Sequence, residues 1–203
     1  MQCDFLYYQF KPLIPWKIRM GVRRALARKT RVQSAGVWPI SETANRAPAG
    51  WPGWPDGKKF AFVLTHDVEG STGLAKSRQL VRLEMQRGFR SSFNLIPEGE
   101  YPIPPELLAE LKQNGFEIGV HDLYHDGKLY RSRKHFSENA KQINHYLQAW
   151  GACGFRSGFM HHRLEWYQDL NIAYDASTFD TDPFEPQPDG VNTIFPFWMN
   201  GPN

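Results

Sequence analysis

The chain has 203 residues, 41% of them hydrophobic and 22% charged, which suits a globular protein with a core of its own. No apolar run approaches the ~20 residues of a membrane span, no fixed-period repeat occurs, and the two cysteines, Cys3 and Cys153, form neither a C-x-x-C pair nor a disulfide framework. The net charge of +3 hides an asymmetry: residues 1–33 hold eight Lys/Arg against one acid, +7, leaving 16 basic and 20 acidic residues, −4, for the rest.

Residues 1–59 read as a basic helix followed by a Pro/Gly/Trp-rich arm, and residues 60–203 as an α/β domain. In PWKIRMGVRRALARK, helical spacing puts Ile18, Val22, Ala25 and Leu26 on one face and Arg19, Arg23 and Lys29 elsewhere. Such a helix can dock on its own domain with its charges solvated, or make peripheral contact with an anionic membrane surface. No base-reading motif accompanies the charge, so nucleic acid is not an expected partner. No charged segment followed by a long apolar stretch opens the chain, so no signal peptide is expected. The expected location is cytoplasmic, with any membrane contact at the inner face. Residues 34–59 carry prolines and glycines that oppose regular structure, and Trp38, Trp51 and Trp54 that are expected to pack.

From residue 60 strand-like and helix-like runs alternate. Strands are expected at FAFVLTH (60–66), SSFNLI (91–96), FEIGVH (116–121), CGFRS (153–157) and IAYDAS (172–177), with a possible sixth at VNTIFPFW (191–198). Helices are expected at LAKSRQLVRLEMQR, at PPELLAELKQN with prolines at its start and Gly115 past its end, and at SENAKQINHYLQAW. A shorter element is expected at LEWYQDL. Such alternation implies a parallel sheet, open or closed into a barrel.

In parallel α/β folds functional groups collect at the carboxyl ends of strands. Here the first strand ends in His66-Asp67-Val68-Glu69, the third in His121 with His125 four residues on, the fourth carries Arg156 and the fifth Asp175. Two histidines and a carboxylate form a common catalytic metal set that leaves a position open for water. The spacing in VHDLYHDG lets both rings reach one ion if the chain turns helically after the strand. A second carboxylate could take a proton from water, and Arg156 could hold that base by a bidentate contact.

These residues resemble the NodB-homology polysaccharide deacetylases of carbohydrate esterase family 4, from about residue 60 to the end. The T-F-D-D motif is similar to Thr65-His66-Asp67-Val68-Glu69, and H-[ST]-x-x-H to His121-Asp122-Leu123-Tyr124-His125. R-x-P-[YF] is similar to Arg156-Ser157-Gly158-Phe159, and SSFNLIP to the family's second strand. The resemblance implies a distorted (β/α) barrel and a hydrolase that removes N-acetyl groups from an amino sugar or polysaccharide precursor. It implies Asp67 as the general base, His121 and His125 as ligands of a divalent metal, usually zinc, and Arg156 as the residue orienting Asp67. Val68 stands where the family has its second aspartate. By similarity to relatives with D-x-[DE], Glu69 is the third ligand. Asp175 is similar to the fourth motif's supporting acid.

The family's terminal L-x-H, source of the general acid, has no counterpart after Asp175, so the barrel is expected to be incomplete at the C-terminus. His161 and His162 could supply an acid instead. His66 is expected to pack behind the site, Tyr124 and Trp198 to pack or line a sugar cleft, and Cys153 to be buried at a strand start. Rival readings are a cyclic amide hydrolase of the allantoinase-like kind on the same fold, a non-catalytic carbohydrate-binding protein, and a membrane-surface scaffold built on residues 1–33.

Overall fold

A computed structural model describes residues 14–36, 44–178 and 193–199. They fall into two compact units: residues 14–36, 44–49 and 193–196 in one, residues 50–178 and 197–199 in the other. The first unit holds helix α1, Trp16–Gln33, none of whose residues is buried. In the same unit the Ile194 amide donates to the Ala44 carbonyl at 3.1 Å and the Thr193 hydroxyl to the Arg46 carbonyl at 3.1 Å.

The second unit is the α/β domain. Strands β1 (Thr65–Val68), β2 (Ser92–Leu95), β3 (Glu117–His121), β4 (Gly154–Arg156) and β5 (Tyr174–Asp175) form one sheet in the order β1-β2-β3-β4-β5. Every neighbouring pair is parallel. Helices α2 (Ser71–Gln86), α3 (Pro105–Gln113) and α4 (Arg133–Trp150) make the first three crossovers, and 3₁₀ turns at Gly158–Met160 and Leu164–Asp169 make the fourth. A strand order that never reverses, with one hand of crossover, winds helices onto one face of a curving sheet, as in a barrel. A doubly wound sheet would reverse its order. Among the described residues the sheet is an open arc of five strands, with β1 and β5 at its edges.

Side-chain alternation divides the two faces. Val68, Phe93, Leu95, Ile118, Val120 and Phe155 enter the hydrophobic core, which also takes in Val81, Leu107, Leu111, Phe136, Ile143 and Leu147 from the helices. The opposite face is polar and glycine-lined. In register lie Asp67, Asn94 and Gly119, and then His121 beside Arg156. The glycines make room here. A Cβ at Gly119 would lie 2.1 Å from Asn94 Oδ1, and one at Gly154 would run into the ring and hydroxyl of Tyr174, which reaches across to Glu117.

Local signals place the helix ends. The Ser132 hydroxyl accepts the His135 amide at 3.2 Å and starts α4 four residues before the expected SENAKQ. Helix α3 begins on Pro104-Pro105, and Gly115 (φ +74°) closes it in a Schellman arrangement, with the Phe116 amide on the Leu111 carbonyl at 2.9 Å and the Gly115 amide on Lys112 at 3.0 Å.

Three expectations need correction. The first strand does not start at Phe60. Phe60, Phe62 and Val63 are 76–81% exposed, and pairing begins where the Leu64 carbonyl accepts the Ser92 amide at 3.0 Å, because β2 offers no partner further upstream. No sixth strand forms over residues 193–199, and residues 191–192 lie outside the described set, as do Cys3 and Trp38. Cys153 is exposed rather than buried, since it sits just before β4 and joins the sheet through its carbonyl, which accepts the Ala173 amide. Trp51 and Trp54 do pack, edge to face at 5.2 Å.

Two consequences are testable. Gly119→Val should destabilise the domain by about 1–3 kcal/mol in urea unfolding, because the new side chain displaces Asn94 from a filled face. An unchanged midpoint would mean that the space is not needed. The Asp169 carboxylate, paired with Arg133 Nη1 and Nη2 at 2.5 and 2.7 Å, is held below the ordinary carboxylate range first by Arg133 and then by the Ser137 hydroxyl. Its stabilising contribution is therefore present above the unfolded Asp value of about 3.9 and lost as pH falls through the lower folded value. Arg133→Gln should flatten the acid side of the urea-midpoint profile below about pH 4. Parallel profiles for the two proteins would remove the pair from the account.

Candidate active site

His121, the last residue of β3, is almost fully buried, and its Nδ1 lies 2.9 Å from the Arg156 carbonyl. A carbonyl can only accept, so Nδ1 carries the proton and Nε2 presents a lone pair. That Nε2 faces Glu69 Oε1 at 3.5 Å, and His125 Nε2 faces the same oxygen at 3.4 Å. His125 Nε2 is buried and has no hydrogen-bond partner. Two imidazole nitrogens that meet one carboxylate oxygen, one of them buried without a hydrogen-bond partner, are arranged as donors around a cation would be.

A metal ion fits this gathering. One ligand atom from each of Glu69, His121 and His125 lies within 4.8 Å of the other two. Donors about 2.0–2.1 Å from a tetrahedral ion are roughly 3.3 Å from each other, close to the two histidine–carboxylate spacings of 3.5 and 3.4 Å. Two imidazoles and a carboxylate suit zinc and leave a coordination position open. The donor sets of His121, His125 and Glu69 expected from the sequence are thus brought together. Asp67 is not among them.

The two rings come together by a route other than the helical turn that the spacing would also allow. Asp122 (φ +60°) and His125 (φ +54°) both take left-handed backbone, and this bend brings the two imidazole centroids to 4.9 Å. The Asp122 amide donates to the Arg156 carbonyl at 2.9 Å, and its carboxylate accepts the Leu123 amide at 2.7 Å. Burial raises the Asp122 carboxyl above the ordinary range, against the opposing pull of that amide and of the two histidines. Phe159 stacks on the His125 ring at 4.7 Å and 30°.

Asp67 is held from two sides. Its Oδ2 lies 2.9 Å from Arg156 Nε, an ion pair that lacks the linear approach of a hydrogen bond, and its Oδ1 accepts Asn94 Nδ2 at 2.8 Å. The contact with Arg156 is through one nitrogen, not the bidentate fork expected. Between the two acids Val68 turns into the core, and its carbonyl accepts the buried Tyr101 hydroxyl. Asp67 and Glu69 therefore flank a fixed point while serving different neighbours.

Asp175 takes another position. Its register partner is Phe155, a core residue, and its carboxylate accepts the Ser177 hydroxyl at 2.6 Å and the Ser177 amide at 3.0 Å. The Ser177 hydroxyl in turn accepts the Ser157 amide at 2.8 Å, so Asp175 reaches the β4 tip through one serine. Burial pushes its carboxyl up, and burial likewise raises the neighbouring phenols of Tyr130 and Tyr167, which share a 3.0 Å hydrogen bond. His66 faces the helix side, where Nε2 meets the buried Glu84 at 2.5 Å and its ring lies 5.0 Å from Phe93. His162 Nδ1 donates to the Met160 carbonyl at 2.9 Å. Tyr124 and Trp198 are 47% and 71% exposed.

Sequence reasoning did not single out Asn94, Gly119 or Gly158. A polar residue at the centre of SSFNLI, where the other face needs apolar ones, was the available signal for Asn94. A Cβ at Gly158 would lie 2.5 Å from Asp122 Oδ2 and 3.0 Å from the His125 ring, so only glycine lets β4 close against the histidine loop.

The sequence matches no family model and no curated protein. Solved structures do match. A Mycobacterium smegmatis protein assigned as a polysaccharide deacetylase aligns with a TM-score of 0.54 at 17% identity, over 68% of this chain and 57% of its own. The family 4 carbohydrate esterase from Streptomyces lividans, solved with acetate, aligns at 0.46 and 14%, over 56% of this chain and 60% of its own. The chitin deacetylase of Colletotrichum lindemuthianum aligns at 0.45 and 17%, over 56% and 54%. The chain thus spans a little over half the length of these proteins, and over that span it has the α/β fold of the polysaccharide deacetylases.

Proposed function

We propose that this chain carries the metal-dependent part of an N-deacetylase, a hydrolase that cleaves the amide of an N-acetylated amino sugar in a polysaccharide or its precursor. The observation that supports it most directly is the convergence of Glu69, His121 and His125, with His125 Nε2 buried and without a hydrogen-bond partner, beside a carboxylate pinned by an arginine. The fold shared with a polysaccharide deacetylase points to the substrate class.

Glu69, His121 and His125 would hold the ion. A divalent metal such as zinc, when bound, supplies Lewis acidity that polarises the amide carbonyl and makes a neighbouring water easier to deprotonate. The residues of the chain do the rest. Asp67 accepts the proton of the attacking water. Arg156 and Asn94 hold its two oxygens in place, which fixes the carboxylate before substrate arrives. The Arg156 carbonyl holds the His121 tautomer, so one residue orients both the base and a ligand. Asp175 supports the β4 tip through Ser177 and does not touch the reacting groups in this reading.

His125→Ala should lower bound zinc from about one ion per chain to near zero, measured by elemental analysis after dialysis. Full retention would rule out the site as drawn. Asp67→Asn should keep the metal and cut acetate release from N-acetylglucosamine oligomers by about 10²–10⁴-fold. If that variant turns over normally, Asp67 is not the base. If the wild-type protein binds zinc and opens cyclic amides while leaving the oligomers intact, the allantoinase-like reading replaces this one.

A further inference from the structure

Helix α1 buries none of its residues. Its 18 residues, WKIRMGVRRALARKTRVQ, hold seven basic side chains and no acid. Ile18, Val22, Leu26 and Val32 are 55–78% exposed. On a helical projection these four and Ala25 share an arc of roughly 120°, flanked by Arg28 on one side and Arg19 on the other. Lys29 falls within the arc, where its aliphatic stem can follow the apolar surface while its ammonium reaches water. Arg31, Arg24 and Lys17 occupy the polar side.

We propose that α1 docks on an anionic lipid bilayer, lying along the interface with the Ile18–Val22–Leu26–Val32 row facing the acyl boundary and the flanking arginines on lipid phosphates. The two halves of the pattern select this occupant. A row of exposed aliphatic side chains between basic margins fits the layered chemistry of a bilayer surface, apolar below and anionic above. Nucleic acid would use the charge and leave the aliphatic row in water. A second copy of the helix would bring two sets of like charges together with no acid to offset them. No described helix is long and apolar enough to cross a membrane, so α1 would lie on the surface. The inference does not rest on the deacetylase reading.

Flotation of the full chain tests it, with phosphatidylglycerol–phosphatidylcholine vesicles and with pure phosphatidylcholine vesicles. The protein should float with the first and not the second, and added salt should weaken the association. Val22→Ser/Leu26→Ser, which leaves every charge in place, should bind at least about tenfold more weakly. Arg19→Gln/Arg28→Gln should do the same while keeping the aliphatic row. None of these side chains belongs to the unit that holds Glu69, His121 and His125, so zinc content should be unchanged in all variants. Wild-type protein that stays at the bottom of the gradient overturns the proposal. So does a serine variant that floats like wild type, which would assign the charge to phosphates in general. A concentration-dependent dimer that the serine variant abolishes would give the face to a second copy instead.

Discussion

Arg156 is the residue on which the site's geometry depends. Its backbone carbonyl accepts both His121 Nδ1 and the Asp122 amide at 2.9 Å, while its side chain lies against Asp67. One residue at the end of β4 therefore sets the tautomer of a ring on β3, anchors the first step of the loop that carries His125, and neutralises a carboxylate on β1. These three strands are not all adjacent: β3 and β4 are paired, and β2 lies between β1 and β3. The arrangement works because β2 contributes Asn94, whose amide completes the hold on Asp67, and because β3 carries Gly119 opposite it. The polar face of the sheet is thus organised across four strands by side chains that need space, and the glycines supply it.

Much of this was legible in the sequence for a simple reason. Strands β2 to β4 and the three crossover helices have strong periodic signals, and the chemistry-bearing residues sit at strand ends where polar groups stand out. His121, His125 and a carboxylate of the first strand end could be recognised as a donor set from residue type, and the choice of Glu69 over Asp67 comes from the resemblance to D-x-[DE] motifs. What could not be read is what depends on contacts across strands. FAFVLTH alternates well enough to be a strand, yet Phe60, Phe62 and Val63 lie beyond the reach of β2 and stay exposed. Alternation specifies a face, and it does not specify where a neighbour begins. In the same way the H-x-x-x-H spacing is compatible with a helical turn, but the spacing does not show which strand end takes the Asp122 amide, which a helical turn would leave without a partner of its own. That amide instead goes to Arg156, and two left-handed residues close the bend.

The two acids of LTHDVEG show how environment separates like groups. Asp67 is fixed by a cation and an amide, and Glu69 extends past the strand end with a half-exposed side chain, its one oxygen shared by two imidazole nitrogens. Val68, anchored in the core and through its carbonyl to Tyr101, keeps them apart. A shorter acid at position 68 would put a charge on the core face of the sheet, and at position 69 the extra methylene of Glu provides reach from beyond the last paired residue. The D-x-E spacing thus follows from which face of β1 is buried.

Two departures from the family-like motifs meet in space. The histidine motif has Asp122 where Ser or Thr is usual, and the arginine motif has Gly158 where Pro is usual. The Asp122 carboxylate occupies the volume that any side chain at residue 158 would need, with Oδ2 2.5 Å from the position of a Cβ. Asp122 is nearly inaccessible to water, sits in left-handed backbone, and keeps one oxygen on the Leu123 amide. A buried carboxyl this close to a backbone tolerates no further bulk, and a proline ring at 158 would force it out of the loop that carries both histidines. Asp122 and Gly158 are therefore sterically coupled: the carboxylate on β3's loop fits because residue 158 has no side chain. Together they allow the close approach of the histidine loop to Arg156, whose carbonyl accepts the Asp122 amide.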